Sequence, residues 1–463
     1  MECPMSRSDA ILDIAVVGHT NAGKTSLLRT LLQSREFGEV DQRPSTTRSV
    51  LEQGVWLGST QVMSFFDTPG LESGSDLYAE IETYGDQFRH DGPAQIRRLL
   101  ESPQAETLYA QEAKVLRQLL QSDAAFYVID CRDPVLPKYQ DELHVLARCG
   151  KPLLPVLNFT AAQNNRQADW QAALTKLNLH VVVAFDTVTP PEGGEKQLLQ
   201  SLAVVLPAAQ KILQQLIEQR QREREERRQR ALLAIAELLT DVAAMRHKVP
   251  LELPEDAVKR EILALQERVR QREHAAVQDL LARFAFLPDD AVFELVDIGS
   301  GQWHDDLFAS DTLKVWSKDT GFGVGAGAAA GAGIDLMVGG MSLGLAAALG
   351  AAAGGLYQSW RHFGEKLRQR IQGERELGVD AATLATITGR QLYLLEQLSQ
   401  RGHAATDAVT VAQEHRLSRD AFRTIEEILS PVLQDQPGLD KNQITRDLAS
   451  YLHQLTVTDK AKG

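Results

Sequence analysis

The residues Gly18-His19-Thr20-Asn21-Ala22-Gly23-Lys24-Thr25 match the G-x-x-x-x-G-K-[ST] pattern of a phosphate-binding loop. In such a loop the backbone N–H groups of Gly18, Asn21, Ala22, Gly23, Lys24, Thr25 and Ser26 are placed to wrap a nucleotide's phosphates. The N-terminus of the following helix faces their negative charge. Lys24 reaches the β- and γ-phosphates, and the Thr25 hydroxyl is a ligand for Mg²⁺. The chemistry needs a strand before the loop and a helix after it. Leu12 to Val17 reads as a buried strand and Ser26 to Leu32 as a helix, so both flanks agree. The alternative, a chance glycine turn, leaves the Lys-Thr pair unexplained.

Two further segments fit a triphosphate switch. Arg43-Pro44-Ser45-Thr46-Thr47-Arg48 lies between the loop helix and a strand expected over Val50 to Trp56. Thr46 or Thr47 there would meet Mg²⁺ and the γ-phosphate, with Thr47 the candidate metal ligand. A polar surface loop is the competing reading. Gln61 to Phe66 reads as an apolar strand running into Asp67-Thr68-Pro69-Gly70, a D-x-x-G turn. Asp67 would hold Mg²⁺ through water, and the Gly70 N–H would sense the γ-phosphate. Lys24, Thr47 and Gly70 are thus the candidate catalytic groups.

With these motifs together, the chain resembles the Era/TrmE group of bacterial translation-factor-type GTPases over roughly residues 10–205. The resemblance implies an α/β P-loop NTPase (G) domain that binds GTP and GDP and hydrolyses GTP to GDP and phosphate with Mg²⁺. It also implies a K⁺ ligand at Asn21. Leu71 follows Gly70 where Ras-type proteins carry a water-orienting glutamine. Hydrolysis would then lean on K⁺, a protein partner or a homodimer. Glu72 is a candidate for handling water, although a solvated carboxylate is the plainer reading.

The base-reading motif departs from the family. A GTPase ends its fifth strand with Asn-Lys-x-Asp, and this chain has Asn158-Phe159-Thr160-Ala161. The asparagine is present and the guanine-reading aspartate is not. Phe159 is a candidate for stacking on the base. Asp186, in Ala184-Phe185-Asp186-Thr187, is either a replacement carboxylate or a turn residue. GTP is the nucleotide implied by resemblance, with ATP or relaxed specificity as alternatives.

The remaining elements of this first domain follow from apolar patterning. Tyr78 to Gln121 reads as an inserted helical stretch, Ala124 to Asp130 as a buried strand, Lys138 to Arg148 as a helix and Lys151 to Asn158 as a strand. The organisation expected is a nucleotide domain over 1–205, a charged long-helix or coiled-coil linker over 206–285, and a helical C-terminal domain over 286–463.

In the linker, Ala208 to Leu239 reads as one helix. Its arginine-rich middle, Gln219 to Arg230, is too polar to be buried all round. Pro254 to Phe284 is expected to pair with it. Residues 321–357 are an alanine- and glycine-rich apolar hairpin whose only charge is Asp335, placed at the bend. Helices entering a membrane, helices buried in the domain, and a glycine-rich loop all compete for this segment. Asp380 to Leu398, Arg419 to Leu433 with a break at Pro431, and Asp440 to Leu455 read as helices.

A net charge of −13 argues against broad nucleic-acid binding. Cys3, Cys131 and Cys149 have no metal spacing and form no disulfide framework. The N-terminal residues lack a secretory apolar core, so a cytoplasmic location is expected, with peripheral or integral contact at the inner membrane through 321–357. The favoured function is a GTP-hydrolysing switch coupled to a helical effector region. The alternatives are a nucleotide-gated scaffold with negligible turnover and an RNA- or ribosome-associated factor.

Overall fold

The computed structural model describes residues 11–32, 50–84, 90–191, 193–250, 252–284, 296–297, 302–317, 334–338, 341–342, 374–400 and 417–460. It separates into two compact units, one over Met1–Arg224 and one over Glu225–Ser399 and Asp407–Gly463. Thr46 and Thr47 lie outside the described residues.

The first unit is built on a six-stranded sheet. Its strands are β1 (Leu12–Val17), β2 (Leu51–Leu57), β3 (Thr60–Asp67), β4 (Ala124–Asp130), β5 (Leu153–Asn158) and β6 (Val183–Ala184). The order is β2-β3-β1-β4-β5-β6, parallel except for the β2–β3 pair. Successive side chains of a strand face opposite ways. On β1, Ile14 and Val16 join one core while Ala15 and Val17 join the other. Both faces are therefore covered, as a parallel sheet requires.

On one face lie α1 (Lys24–Leu32) and α7 (Gly194–Val205), through Leu27, Leu28 and Leu31 and through Leu198, Leu199 and Leu202. Each such buried leucine contributes roughly 1.5–3 kcal/mol. On the other lie α2 (Gly74–Glu82), α3 (Gly92–Leu100), α4 (Ala110–Gln121), α5 (Pro137–Ala147) and α6 (Gln167–Lys176). The insertion between β3 and β4 is helical, as its patterning predicts. The strand order reverses at β1, flanked by β3 and β4. In open α/β sheets, ligands bind beyond the carboxyl ends of the strands at such a point.

The second unit begins inside α8 (Gln210–Ala243), a helix of 34 residues. Its polar middle carries Arg230–Glu226 and, in the first unit, Arg220–Glu223 ion pairs at helical spacing. Then follow β7 (Arg246–Pro250), α9 (Glu255–Arg283), β8 (Val296–Asp297), β9 (Gln302–Trp303) and α10 (Ser310–Ser317). After these come β10 (Ile334–Val338), β11 (Met341–Ser342), β12 (Glu374–Val379), α11 (Ala381–Gln400), α12 (Arg419–Leu433) and α13 (Lys441–Lys460). Ala231 to Ala243 of α8 and Val269 to Leu281 of α9 share one core with α11, α12 and α13. The two charged helices thus pack in a bundle rather than as an isolated coiled coil.

Two expectations are corrected. Where described, the small-residue hairpin is not helical: Ile334–Val338 pairs antiparallel with β12 and β11, and β12 pairs with β7. Asp335 stands in register with Gly378 inside that strand, not at a bend. The rest of 321–357 lies outside the described residues. Among the described residues, no helix is long and apolar enough to cross a membrane. Pro431 also fails to end its helix, which runs to Leu433. It sits in the last turn, where its missing N–H removes only one bond.

Candidate functional site

The loop between β1 and α1 has the backbone that only small residues allow. Gly23 adopts φ +92°, and a Cβ there would lie 2.2 Å from the Asn158 Nδ2. Gly18 adopts φ +145°, and its Cβ would lie 2.4 Å from the Val128 carbonyl oxygen. Asn21 is exposed at φ +63°. Lys24 is buried and folds back over the loop, donating to the Gly18 and His19 carbonyls at 3.1 and 2.9 Å. Burial lowers its pKa to about 8, against the pull of Asp67, Glu142 and Glu72. It is a buried cation held by neutral carbonyls.

The end of β3 meets the start of α1. The Thr25 hydroxyl donates to Asp67 Oδ2 at 2.6 Å. Asp67 is fully buried and its Oδ1 has no partner. Burial raises the Asp67 pKa, and the Thr25 bond and the Lys24 and Arg29 charges oppose the rise. A hydroxyl beside a buried carboxylate with an open oxygen fits a hard divalent cation such as Mg²⁺. Among the described residues no cluster of histidine, cysteine and carboxylate side chains forms a metal site by itself.

The turn after β3 is bonded to the loop. The Leu71 N–H donates to Gly18 O at 3.2 Å, and the Thr20 hydroxyl donates to Glu72 Oε1 at 2.8 Å. Glu72 is exposed, and this bond ties it to the phosphate loop. Leu71 is 1% exposed.

On the base side, Asn158 is fully buried and engages three segments. Its Nδ2 donates to Ala22 O at 3.0 Å, and its Oδ1 accepts from the Phe159 and Thr187 N–H groups, each at 2.9 Å. Phe159, at φ +56°, carries the Arg132 guanidinium 3.8 Å from its ring centre. The Arg132 guanidinium donates three bonds to Asp130, at 2.9, 3.2 and 2.7 Å. The ring singled out for base stacking thus already has a cationic neighbour. Asp186 is 3% exposed and accepts from three backbone N–H groups: Ala161 at 2.9 Å, Val188 at 2.9 Å and Thr189 at 3.0 Å. It orders its own loop and lies against Ala161, the position where the family pattern has aspartate.

Gly18, Asn21, Ala22, Gly23, Lys24, Thr25 and Ser26 thus line one loop, with Asp67 and Gly70 on the adjacent turn. Asn158 ends the fifth strand, Phe159 follows it, and Asp186 follows the sixth. Sequence reasoning missed Arg132 and Glu142. Glu142, 1% exposed on α5, meets His19 Nδ1 at 2.7 Å and accepts from the Tyr127 hydroxyl at 3.1 Å beneath the loop. No motif marks either residue, because each is recruited by packing.

Residues 171–446, more than half of the chain, match the family described as domain of unknown function (DUF3482). The chain belongs to that family. Upstream of the DUF3482 match, residues 13–159 match the family described as 50S ribosome-binding GTPase. The N-terminal domain of this DUF3482 protein is accordingly an Era/TrmE-like bacterial GTPase domain. The tRNA modification GTPase MnmE of Cyanothece sp. (strain PCC 7425) is 29% identical over 163 residues, covering 35% of this chain and 34% of the relative. GTPase Der of Mycobacterium leprae is 25% identical over 211 residues, covering 40% of this chain and 43% of the relative. The chain therefore spans under half the length of these curated relatives. A crystal structure of Aquifex aeolicus Era bound to GDP.AlF4⁻ is 18% identical with a TM-score of 0.28, covering 38% of this chain and 51% of that one.

Proposed function

We infer that this protein binds GTP with Mg²⁺ and hydrolyses it to GDP and phosphate, using the cycle as a switch for its helical region. One observation carries the reading: the buried Lys24 donates to two loop carbonyls and stands near a buried Asp67 whose Oδ1 has no hydrogen-bond partner. A bound triphosphate would give the Lys24 ammonium a direct anionic partner, and the metal would meet the open Asp67 Oδ1. Thr25 and Asp67 would hold Mg²⁺, with Thr47 as the switch ligand. When bound, the metal neutralises charge on the phosphate oxygens. Lys24 would leave the loop carbonyls for the β- and γ-phosphates. The Gly70 N–H would report the γ-phosphate, and the Leu71 to Gly18 bond would couple that turn to the loop. Asn158 keeps the loop and the base side in register. Asn21 would be the K⁺ ligand in a K⁺-assisted reaction.

A second reading is a nucleotide-gated binding module with negligible turnover. The buried Leu71, in place of a water-orienting side chain, favours it. Membrane contact through 321–357, a homodimer and a cytoplasmic location are further parts of the proposal that rest on composition and resemblance. Loss of liposome flotation on deleting 321–357 tests the membrane part.

The deciding experiment is displacement of fluorescent GTP by GTP, ATP and their diphosphates, with Lys24→Ala as control, followed by single-turnover phosphate release with and without K⁺. GTP winning by about a hundredfold, worth about 2.7 kcal/mol, supports the guanine reading. Equal competition by ATP overturns it. Tight binding without phosphate release favours the second reading.

A further inference from the structure

The helical insertion between β3 and β4 carries a buried carboxylate outside the nucleotide motifs. Glu112 lies in the first turn of α4, where the helix N-terminus favours negative charge, and is 4% exposed. Its Oε1 accepts from the backbone N–H of Ser73 at 3.0 Å and of Glu72 at 3.4 Å. Bonds of this kind to a carboxylate are stronger than bonds between neutral groups. Ser73 is the N-cap of α2, and its own side chain makes no cap bond. Glu112 therefore brings an acceptor, from another helix, to the N–H groups at the start of α2.

Glu72 and Ser73 stand just beyond the Asp67 to Gly70 turn, and the residues between are held as well. Gly70 packs so closely on the phosphate loop that a Cβ there would lie 2.7 Å from Thr20 Cα. The Leu71 N–H donates to Gly18 O, and the Glu72 carboxylate accepts from the Thr20 hydroxyl. Leu71 shares a core with Val115, Leu116 and Leu119 of α4. Every residue from Gly70 to Ser73 is thus fastened by the chain itself, to the phosphate loop on one side and to α4 on the other. In phosphate-loop switches this turn is ordered by the γ-phosphate and released on hydrolysis. Glu112 supplies an anchor that does not depend on phosphate.

We infer that Glu112 is a positioning residue for the γ-phosphate sensor, and that α4 is the brace of the switch turn. Glu112 holds the Gly70 segment against the loop before a γ-phosphate arrives, so binding bears little cost for ordering it. The inference rests on the GTPase reading and adds to it a residue that acts through the turn without touching nucleotide. A plain helix cap has a different consequence: its loss lowers stability and weakens GTP and GDP alike.

The test uses the full-length chain. Site-resolved amide exchange is followed at Glu72 and Ser73 with GDP and with a non-hydrolysable GTP analogue. Both N–H groups should be protected in both complexes; protection with the analogue alone overturns the proposal. Affinities for the two nucleotides and single-turnover GTP hydrolysis are then compared in Glu112→Leu and Glu112→Gln. Glu112→Leu removes the acceptor and should weaken the analogue about tenfold, slow hydrolysis and leave GDP binding as in the parent. Glu112→Gln keeps an oxygen for the two N–H groups and should return analogue binding to within about threefold of the parent. Equal losses for both nucleotides in Glu112→Leu, no loss at all, or no rescue by Glu112→Gln overturn the role of Glu112 while leaving the GTPase reading intact. A parent that binds neither nucleotide overturns that reading and the inference with it. Where Glu112→Leu melts too early to assay, the exchange measurement on the parent decides alone.

Discussion

The Thr25 hydroxyl donates to Oδ2 of Asp67 at 2.6 Å, and Oδ1 of the same buried carboxylate is unpartnered. This pairing separates two roles that one substitution can distinguish. Ionised Asp67 is disfavoured by its burial, so Asp67→Asn should leave the nucleotide-free protein as stable as the parent or more so. The same change removes the carboxylate that would engage Mg²⁺. The Mg²⁺-dependent part of GTP affinity should fall about 10–100-fold, the range for losing an outer ligand partner. Thermal melts and nucleotide titrations with and without Mg²⁺ read the two effects. A variant that binds with full Mg²⁺ dependence would remove Asp67 from the metal site.

Lys24 gives a pH signature in the nucleotide-free state. Its pKa in the folded chain is lowered by burial from 10.5 to about 8. Between these values the unfolded chain binds the extra proton, so stability rises with pH across that window. Below it, the buried charge costs on the order of 3 kcal/mol. Lys24→Met should therefore be more stable than the parent at pH 7, by up to about that amount, with the advantage shrinking toward pH 10. Urea unfolding across that range measures it. The variant should fail to bind nucleotide throughout. A parent stability that falls between pH 8 and 10 faster than that of Lys24→Met would refute the assignment.

Gly23 tests the loop itself. Its φ of +92° and the 2.2 Å approach to Asn158 Nδ2 leave no room for a methyl group. Gly23→Ala should pull Asn158 off the Ala22 carbonyl and cost about 1–3 kcal/mol in the domain. Nucleotide binding should fall with it. A melt unchanged within a degree would mean that the loop relaxes freely.

The phosphate half of the site was legible because its chemistry is local in sequence. The residues of Gly18 to Thr25 are contiguous, and the Asp67 to Gly70 turn directly ends an apolar strand. The base half was less so. Asn158 is readable from its motif, but the Arg132 ring contact and the Glu142 support under His19 arise only when β4, α5 and the loop come together. The second unit was misread at Ile334–Val338 for a related reason. Alanine and glycine suggest helix or loop from composition, whereas β10 is set by pairing with Glu374–Val379, and that strand in turn with Arg246–Pro250. Such distant pairing leaves no local signature.

Asp186 decides whether the base side has a carboxylate to spare. Its two oxygens accept three backbone N–H groups, two of them in its own loop and the third at Ala161. Asp186→Ala strands all three donors and should destabilise the first unit by about 2–4 kcal/mol. Asp186→Asn keeps one acceptor oxygen and should cost less, which separates folding from recognition. If Asp186 also reads guanine, Asp186→Asn should lower GTP affinity by about tenfold or more while leaving ATP affinity unchanged. If it is only a loop organiser, both nucleotides should weaken together. Competition titration of the Asn variant, on protein shown by its melt to be folded, distinguishes a relocated base reader from a turn that happens to lie beside Ala161.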